Sequence, residues 1–218
     1  MQANEISALH TQVLWAAFLA SVAFGAIAQK THFCTMGAVS DVVNMGDWSR
    51  MRQWALAVGI AIAGFSLLVG TGQIDAAKVL YASNRWIWLS ALVGGLLFGF
   101  GMVLASGCGS KTLVRIGGGS LKSLVVFLVL GVSAFASLKG VTAVLRTVSV
   151  DRVAVEMASG AALPAWIATT TGAAPKTVAL IVGLGVGAAL VIWSLAGRDF
   201  MRFDNLLAGL GVGAVTVA

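Results

Sequence analysis

Long apolar runs separated by short polar connections make up almost the whole chain. Runs near the roughly 20 residues that cross a bilayer extend approximately over Leu14–Ala28, Trp54–Gly72, Trp86–Ala105, Leu121–Leu138 and Thr177–Ala196, and a sixth starts near Leu206. Each run predicts a membrane helix. Trp15, Trp54, Trp86, Trp88 and Trp193 fall near the predicted ends, where interfacial aromatic rings sit. Glycines recur inside the runs, and Gly95/Gly99, Gly183/Gly187 and Gly209/Gly213 have the spacing that lets membrane helices approach closely.

Where two of these runs end, the pattern repeats. Phe24-Gly25 is followed by Cys34 ten residues after the phenylalanine, and Phe98-Gly99 by Cys108 at the same distance. These are the two cysteines of the chain. Each sits where apolar sequence gives way to small and polar residues, so each thiol is placed at a break in a membrane helix. Thr35–Met45 and Gly109–Ile116 are too short to cross and read as half-helices or re-entrant loops. The sequence therefore predicts an all-α polytopic membrane protein with internal repeats and short re-entrant half-helices at both cysteine motifs. Paired broken helices of this kind point to a transport site.

Three regions follow. Residues 1–147 form a two-unit cysteine-motif repeat, 148–176 a polar interfacial connection, and 177–218 the start of a further, incomplete membrane repeat. Within the connection, Val148–Ala162 is expected to form an amphipathic surface helix, and Thr169–Gly172 a turn. The last run is still growing more apolar at Ala218. That predicts either a C-terminally shortened form of a longer protein or a tail packed on another chain, and the recurrence of Gly183–Ala188 as Gly209–Ala214 favours the first.

Composition agrees with a membrane setting, with 10% charged residues and a net charge of +6. Lys and Arg are spread over the connections rather than gathered in a patch, so topology and anionic lipid explain the charge better than nucleic acid does. The first run is preceded by no Lys or Arg and followed by Lys30, Arg50 and Arg52, which favours an outside N-terminus. Ala26-Ile27-Ala28 imitates a signal-peptidase site, but the leading segment lacks the basic start of a signal peptide and reads as an uncleaved span.

The two thiols have four readings: small hydrophobes in a core, a disulfide staple, metal ligands, or contacts for a soft anion. His10 and His32, the only histidines, form no recognised ligand cluster with them. No Ser/His/Asp or paired-carboxylate arrangement stands out, so no catalytic residue, metal or cofactor is assigned. The fourth reading is the most specific. A thiol at the start of a half-helix lies beside free N–H groups and the positive end of the helix dipole, which favour an anion without trapping it.

Around Cys34, Lys30 and His32 supply cationic or donor groups, Thr35 an oxygen, and Asp41 is expected to pair with Lys30 or cap local backbone. Around Cys108, Gly107 and Gly109 let the backbone come close to a ligand, Ser106 and Ser110 offer hydroxyls, and Lys111 with Arg115 can draw an anion inward. The plainer alternatives are an interfacial His32 and snorkelling Lys111 and Arg115 side chains.

The strings Gln29-Lys30-Thr31-His32-Phe33-Cys34-Thr35-Met36-Gly37-Ala38 and Gly101-Met102-Val103-Leu104-Ala105-Ser106-Gly107-Cys108-Gly109 resemble the two N-terminal cysteine motifs of the YeeE/YedE family of bacterial inner-membrane transporters. The resemblance implies an hourglass-shaped helical protein through which thiosulfate or a related sulfur anion enters the cell past cysteine thiols. That role would fall on Cys34 and Cys108. It also implies a cytoplasmic TusA-like sulfurtransferase as partner. A third cysteine in the C-terminal half of longer relatives has no counterpart here. Two alternatives stay open: sulfur transfer through a persulfide on Cys108, and a pore subunit that needs a second chain.

Overall fold

The structure is a computed structural model that describes residues 3–74, 85–156, 163–172, 174–197 and 200–217. The described residues form helices α1 (Ala3–Thr31), α2 (Thr35–Met45), α3 (Ser49–Gly70), α4 (Trp88–Leu104), α5 (Gly109–Gly117), α6 (Leu121–Lys139), α7 (Val141–Ser149), α8 (Leu163–Thr171), α9 (Pro175–Leu195) and α10 (Phe203–Val217). Two-residue strands β1 (Arg85–Trp86) and β2 (Val155–Glu156) pair antiparallel, Arg85 opposite Glu156. Five helical stretches among these residues are long and apolar enough to cross a membrane: Ser7–Met45, Ser49–Gly70, Trp88–Gly117, Leu121–Lys139 and Lys176–Leu195. The chain is an all-α, multi-pass membrane protein.

Three sequence expectations change. Helix α1 begins at Ala3 rather than Leu14, because its polar first turns are still helical: Thr11 Oγ1 donates to the Ser7 carbonyl at 2.9 Å, which satisfies the hydroxyl within the helix. Trp15 consequently falls inside α1 and not at its end. The amphipathic helix expected over Val148–Ala162 does not form across residues 150–156, which turn into β2 after α7 ends at Ser149. Arg146 Nε donates to Asp151 Oδ2 at 3.1 Å across that turn. Residues 157–162 lie outside the described residues. The Thr169–Thr171 segment ends α8, and the turn is confined to Gly172, at φ +69°.

The chain divides into two compact units, Met1–Gly64 with Gly187–Ala218, and Phe65–Val186. In the first, α1 packs on α10, and small residues set how closely the helices meet. A Cβ on Gly213 would stand 2.7 Å from Ile60 Cβ. One on Gly59 would stand 3.0 Å from the Gly187 carbonyl oxygen. Any side chain at these points would force α3 away from α10 or α9. Buried polar groups tie the same helices. Gln53 Nε2 donates to Asn205 Oδ1 at 2.6 Å, and Ser194 Oγ donates to the Arg52 carbonyl at 3.0 Å.

In the second unit α5 packs on α6, and α6 on α7. Large apolar side chains of α4 and α6, among them Leu96, Phe98, Phe100, Leu128, Val132 and Phe135, are exposed. Such a surface is stable against hydrocarbon, not water. Gly95 and Gly99, expected at a helix contact, meet no described atom within 4 Å of an added Cβ. Gly187, Gly209 and Gly213 do make the close contacts their spacing predicts.

Candidate functional site: two cysteine-capped half-helices

Both cysteine motifs use one backbone device. Helix α1 ends at Thr31, His32 turns left-handed at φ 51°, and the Phe33 N–H reaches back to the Ala28 carbonyl at 3.2 Å. In the second motif Ser106 turns left-handed at φ 55°, and the Gly107 N–H reaches back to the Met102 carbonyl at 3.1 Å. This six-to-one closure satisfies a carbonyl left over at a helix end, and it usually employs glycine at the left-handed position. Here a histidine and a serine occupy it, each two residues before the cysteine. The chain then becomes extended at Cys34 (φ −154°) and at Cys108 (φ −81°, ψ 167°), and each cysteine is the N-cap of the short helix that follows, α2 or α5.

Both thiols are buried, each with 8% of the residue exposed. The Gly37 N–H donates to Cys34 Sγ at 3.5 Å, so this sulfur takes up one of the unsatisfied donors of the first turn of α2. At Cys108 the backbone carbonyl accepts from the Thr112 N–H and from Thr112 Oγ1, both at 3.1 Å, which locks the first turn of α5. Each thiol therefore sits at the positive end of a helix dipole.

The flanking residues are arranged differently. Thr35 Oγ1 accepts from Trp54 Nε1 at 3.1 Å, so Trp54 braces α2 against α3. Lys30 does not pair with Asp41 as expected; its Nζ lies over the Phe203 ring, 5.6 Å from the centroid. Asp41 instead binds Arg50, Nε to Oδ2 at 3.3 Å. The reason lies in the turn. Gly46, left-handed at φ 68°, closes α2 and reverses the chain into α3, so residues about equally far on either side of it face each other. Asp47, in the same turn, accepts from the Ser49 N–H at 2.9 Å and Ser49 Oγ at 2.7 Å. These bonds, helped by the nearby Arg50 charge, hold its carboxyl below the usual aspartate range.

At the second motif Ser106 is exposed, Gly107 buried, and Gly109, Ser110 and Lys111 lie half-buried in or beside the first turn of α5. A Cβ on Gly107 would stand 3.2 Å from Lys111 Cδ, so the lysine stem lies across that glycine. Arg115 Nη1 reaches back to the Ser106 carbonyl at 3.5 Å, which makes this arginine a brace for the kink. The structure thus gathers Cys34 with Thr35 in one unit, and Cys108 with Ser106, Gly107, Gly109, Ser110 and Lys111 in the other. Lys30 and His32 stand exposed beside the first motif. Arg50 and Trp54 were not recognisable as part of the site from sequence; the only signal was the Gly46-Asp47 turn that brings α3 back along α2.

The thiosulfate transporter TsuA of Spirochaeta thermophila is 28% identical over 130 residues, 59% of this chain and 37% of its own length. TsuA of Escherichia coli is 31% identical over 101 residues, 46% of this chain and 27% of its own. The probable transporter YedE of Salmonella typhimurium is 30% identical over 110 residues, 50% of this chain and 26% of its own. The chain thus aligns with well under half the length of these relatives. Residues 30–208, which include both cysteine-capped half-helices, match the family described as Sulphur transport, and the chain belongs to that family, the YeeE/YedE transporters.

Proposed function

We propose that the chain imports thiosulfate, or a related sulfur-containing anion, across the bacterial inner membrane, and that Cys34 and Cys108 each form one station on the path. The observation that carries this reading is the matched placement of both thiols at the N-caps of half-helices in a sulphur-transport protein. An anion at such a station meets backbone N–H groups and a helix dipole in place of a fixed charge, so it is attracted and still able to leave. The thiol is a weak donor and a polarisable surface. It suits the terminal sulfur of thiosulfate better than the uniform oxygen shell of sulfate. Ser106, Ser110 and Thr35 would offer hydroxyls, Gly107 and Gly109 close approach, and Lys30, His32 and Lys111 positive potential. A TusA-like cytoplasmic sulfurtransferase is the partner this reading expects to take up the sulfur.

The test is uptake of labelled thiosulfate by cells lacking other thiosulfate routes, with Cys34→Ala and Cys108→Ala assayed at equal membrane abundance. Each substitution should abolish uptake, and unlabelled sulfate should compete poorly with thiosulfate. Wild-type uptake in both variants would remove the proposal.

A further inference from the structure

Arg50 is the charged side chain that the structure brings to the first turn of α2, beside Cys34. Gly37 and Asp41 lie one turn apart on the same face of that helix, and the arginine stretches along it. Its Nε is held by Asp41 Oδ2 at 3.3 Å. Its far end reaches the cysteine turn: a Cβ placed on Gly37 would stand 2.8 Å from Arg50 Nη1 and 3.6 Å from Cys34 Cβ. Glycine at 37 therefore leaves room for the guanidinium next to the residue whose N–H contacts the Cys34 sulfur. The arginine side chain is 38% exposed and the aspartate 12%. The guanidinium thus keeps access to a solute while its partner stays covered.

We infer that Arg50 is a specificity-determining residue of the Cys34 station: its Nη groups receive the charged oxygens of a sulfur oxyanion, and Asp41 limits how tightly they hold it. This rests on the reading of Cys34 as a station for the anion. A guanidinium presents planar donors that match an oxyanion. An unpaired arginine in a low-dielectric site would bind a divalent anion too firmly for passage. Asp41 cancels most of that charge, so the station recognises the oxygens through geometry and releases them. Divalent oxyanions carrying one soft terminal atom are the substrate class that uses both the guanidinium and the thiol.

The acid and the base of this pair provide a test that a purely structural ion pair would fail. Arg50→Gln and Asp41→Asn break the same bridge. If the bridge only braced α2 on α3, both would shift affinity in the same direction. In the whole chain in detergent micelles, the two variants should instead move the binding of labelled thiosulfate in opposite directions, with labelled sulfate measured alongside. Arg50→Gln should weaken thiosulfate about tenfold, the usual cost of losing a charge-assisted hydrogen bond, and Asp41→Asn should tighten it and slow its dissociation.

Gly37→Ala supplies a variant that folds, because only the flexible end of Arg50 has to yield; it should weaken binding while leaving thermal stability close to wild type. Shifts in the same direction for Arg50→Gln and Asp41→Asn, or no shift in either, overturn the inference, as does wild-type affinity in Gly37→Ala. Failure of the Cys34 reading is distinguishable. In that case Cys34→Ala binds thiosulfate as the wild type does, and the protein no longer prefers thiosulfate over sulfate, while the opposite shifts at 41 and 50 persist.

Discussion

The two cysteine motifs share a backbone and differ in charge. In both, a left-handed residue two places before the cysteine ends a long helix, and the cysteine caps a short one. Around Cys34, the cation beside the first turn of α2, Arg50, is paired with Asp41 and comes from the following helix, while Lys30 lies over the Phe203 ring. Around Cys108 the cations are Lys111 and Arg115, both on the short helix itself, and no Asp or Glu occurs anywhere between Asp75 and Asp151. The first motif has an acid beside its α3 cation and the second has none on its short helix. The duplicated part is the device that sets a buried thiol at the first turn of a short helix; the charge placed beside it has diverged. If the proposed path is right, that difference would suit unequal tasks, with the uncompensated motif drawing an anion in and the compensated one letting it go.

The sharpest way to break this comparison is through salt. Lys111→Gln removes a positive charge that no acid on its own or adjoining elements offsets, so thiosulfate affinity should fall about tenfold at low ionic strength and much less at high salt, where exposed charges are screened. An affinity loss independent of salt would show that Lys111 acts through contact or packing, and the contrast in charge would then carry no functional meaning.

A second, smaller effect tests the shared part. The left-handed conformation costs an ordinary L-residue roughly 1–2 kcal/mol, and a β-branched one fits it worst. His32→Val and Ser106→Val should each lower stability by about 1–2 kcal/mol, whereas His32→Gly and Ser106→Gly should leave it unchanged or raise it. The measurement is the thermal or denaturant midpoint of the purified protein. It also separates two roles for His32, since His32→Gly keeps the kink and removes the imidazole. Unchanged transport in that variant would assign His32 to the turn alone.

These kinks mark the limit of what the sequence reveals. The break at each cysteine was legible, because the apolar run ends there and small polar residues follow, and the repeat of Phe-Gly and Cys at fixed spacing showed that the two breaks correspond. The left-handed residues were not legible, since glycine is the usual signal and a histidine and a serine stand in its place. Asp41 illustrates a different difficulty. Its partner is set by the hairpin at Gly46, which brings Arg50 of α3 back along α2, while Lys30, on the other side in sequence, turns to Phe203. The glycine pairs were equivalent by spacing, yet Gly209 and Gly213 abut α3 while Gly95 and Gly99 meet nothing among the described residues. Spacing fixes which residues share a helix face and leaves open what that face meets.

The smallest effect lies just after the half-helices, where the two motifs begin their next long helix in different ways. Before α3 the acceptor is a carboxylate, Asp47, which binds the N–H and hydroxyl of Ser49. Before α6 it is a hydroxyl, Ser120 Oγ, which accepts from Ser123 Oγ at 3.1 Å. Only the first can titrate. The Ser49 bonds favour the ionised form and lower the Asp47 pKa from its ordinary 3.8. Their stabilisation is therefore fully present above that value and is lost as pH falls through the lower folded-state value. Asp47→Ala should cost about 1 kcal/mol or less near neutral pH, the usual range for losing a side chain that binds the N–H groups of a helix start. Asp47→Ser should recover most of that loss and weaken the acid-side decline in stability. The Ser120→Ala variant should keep the wild-type shape of the pH profile. If Asp47→Ser left the acid limb of the profile unchanged, the carboxylate at the start of α3 would not be its source, and in this respect the two helix starts would be equivalent.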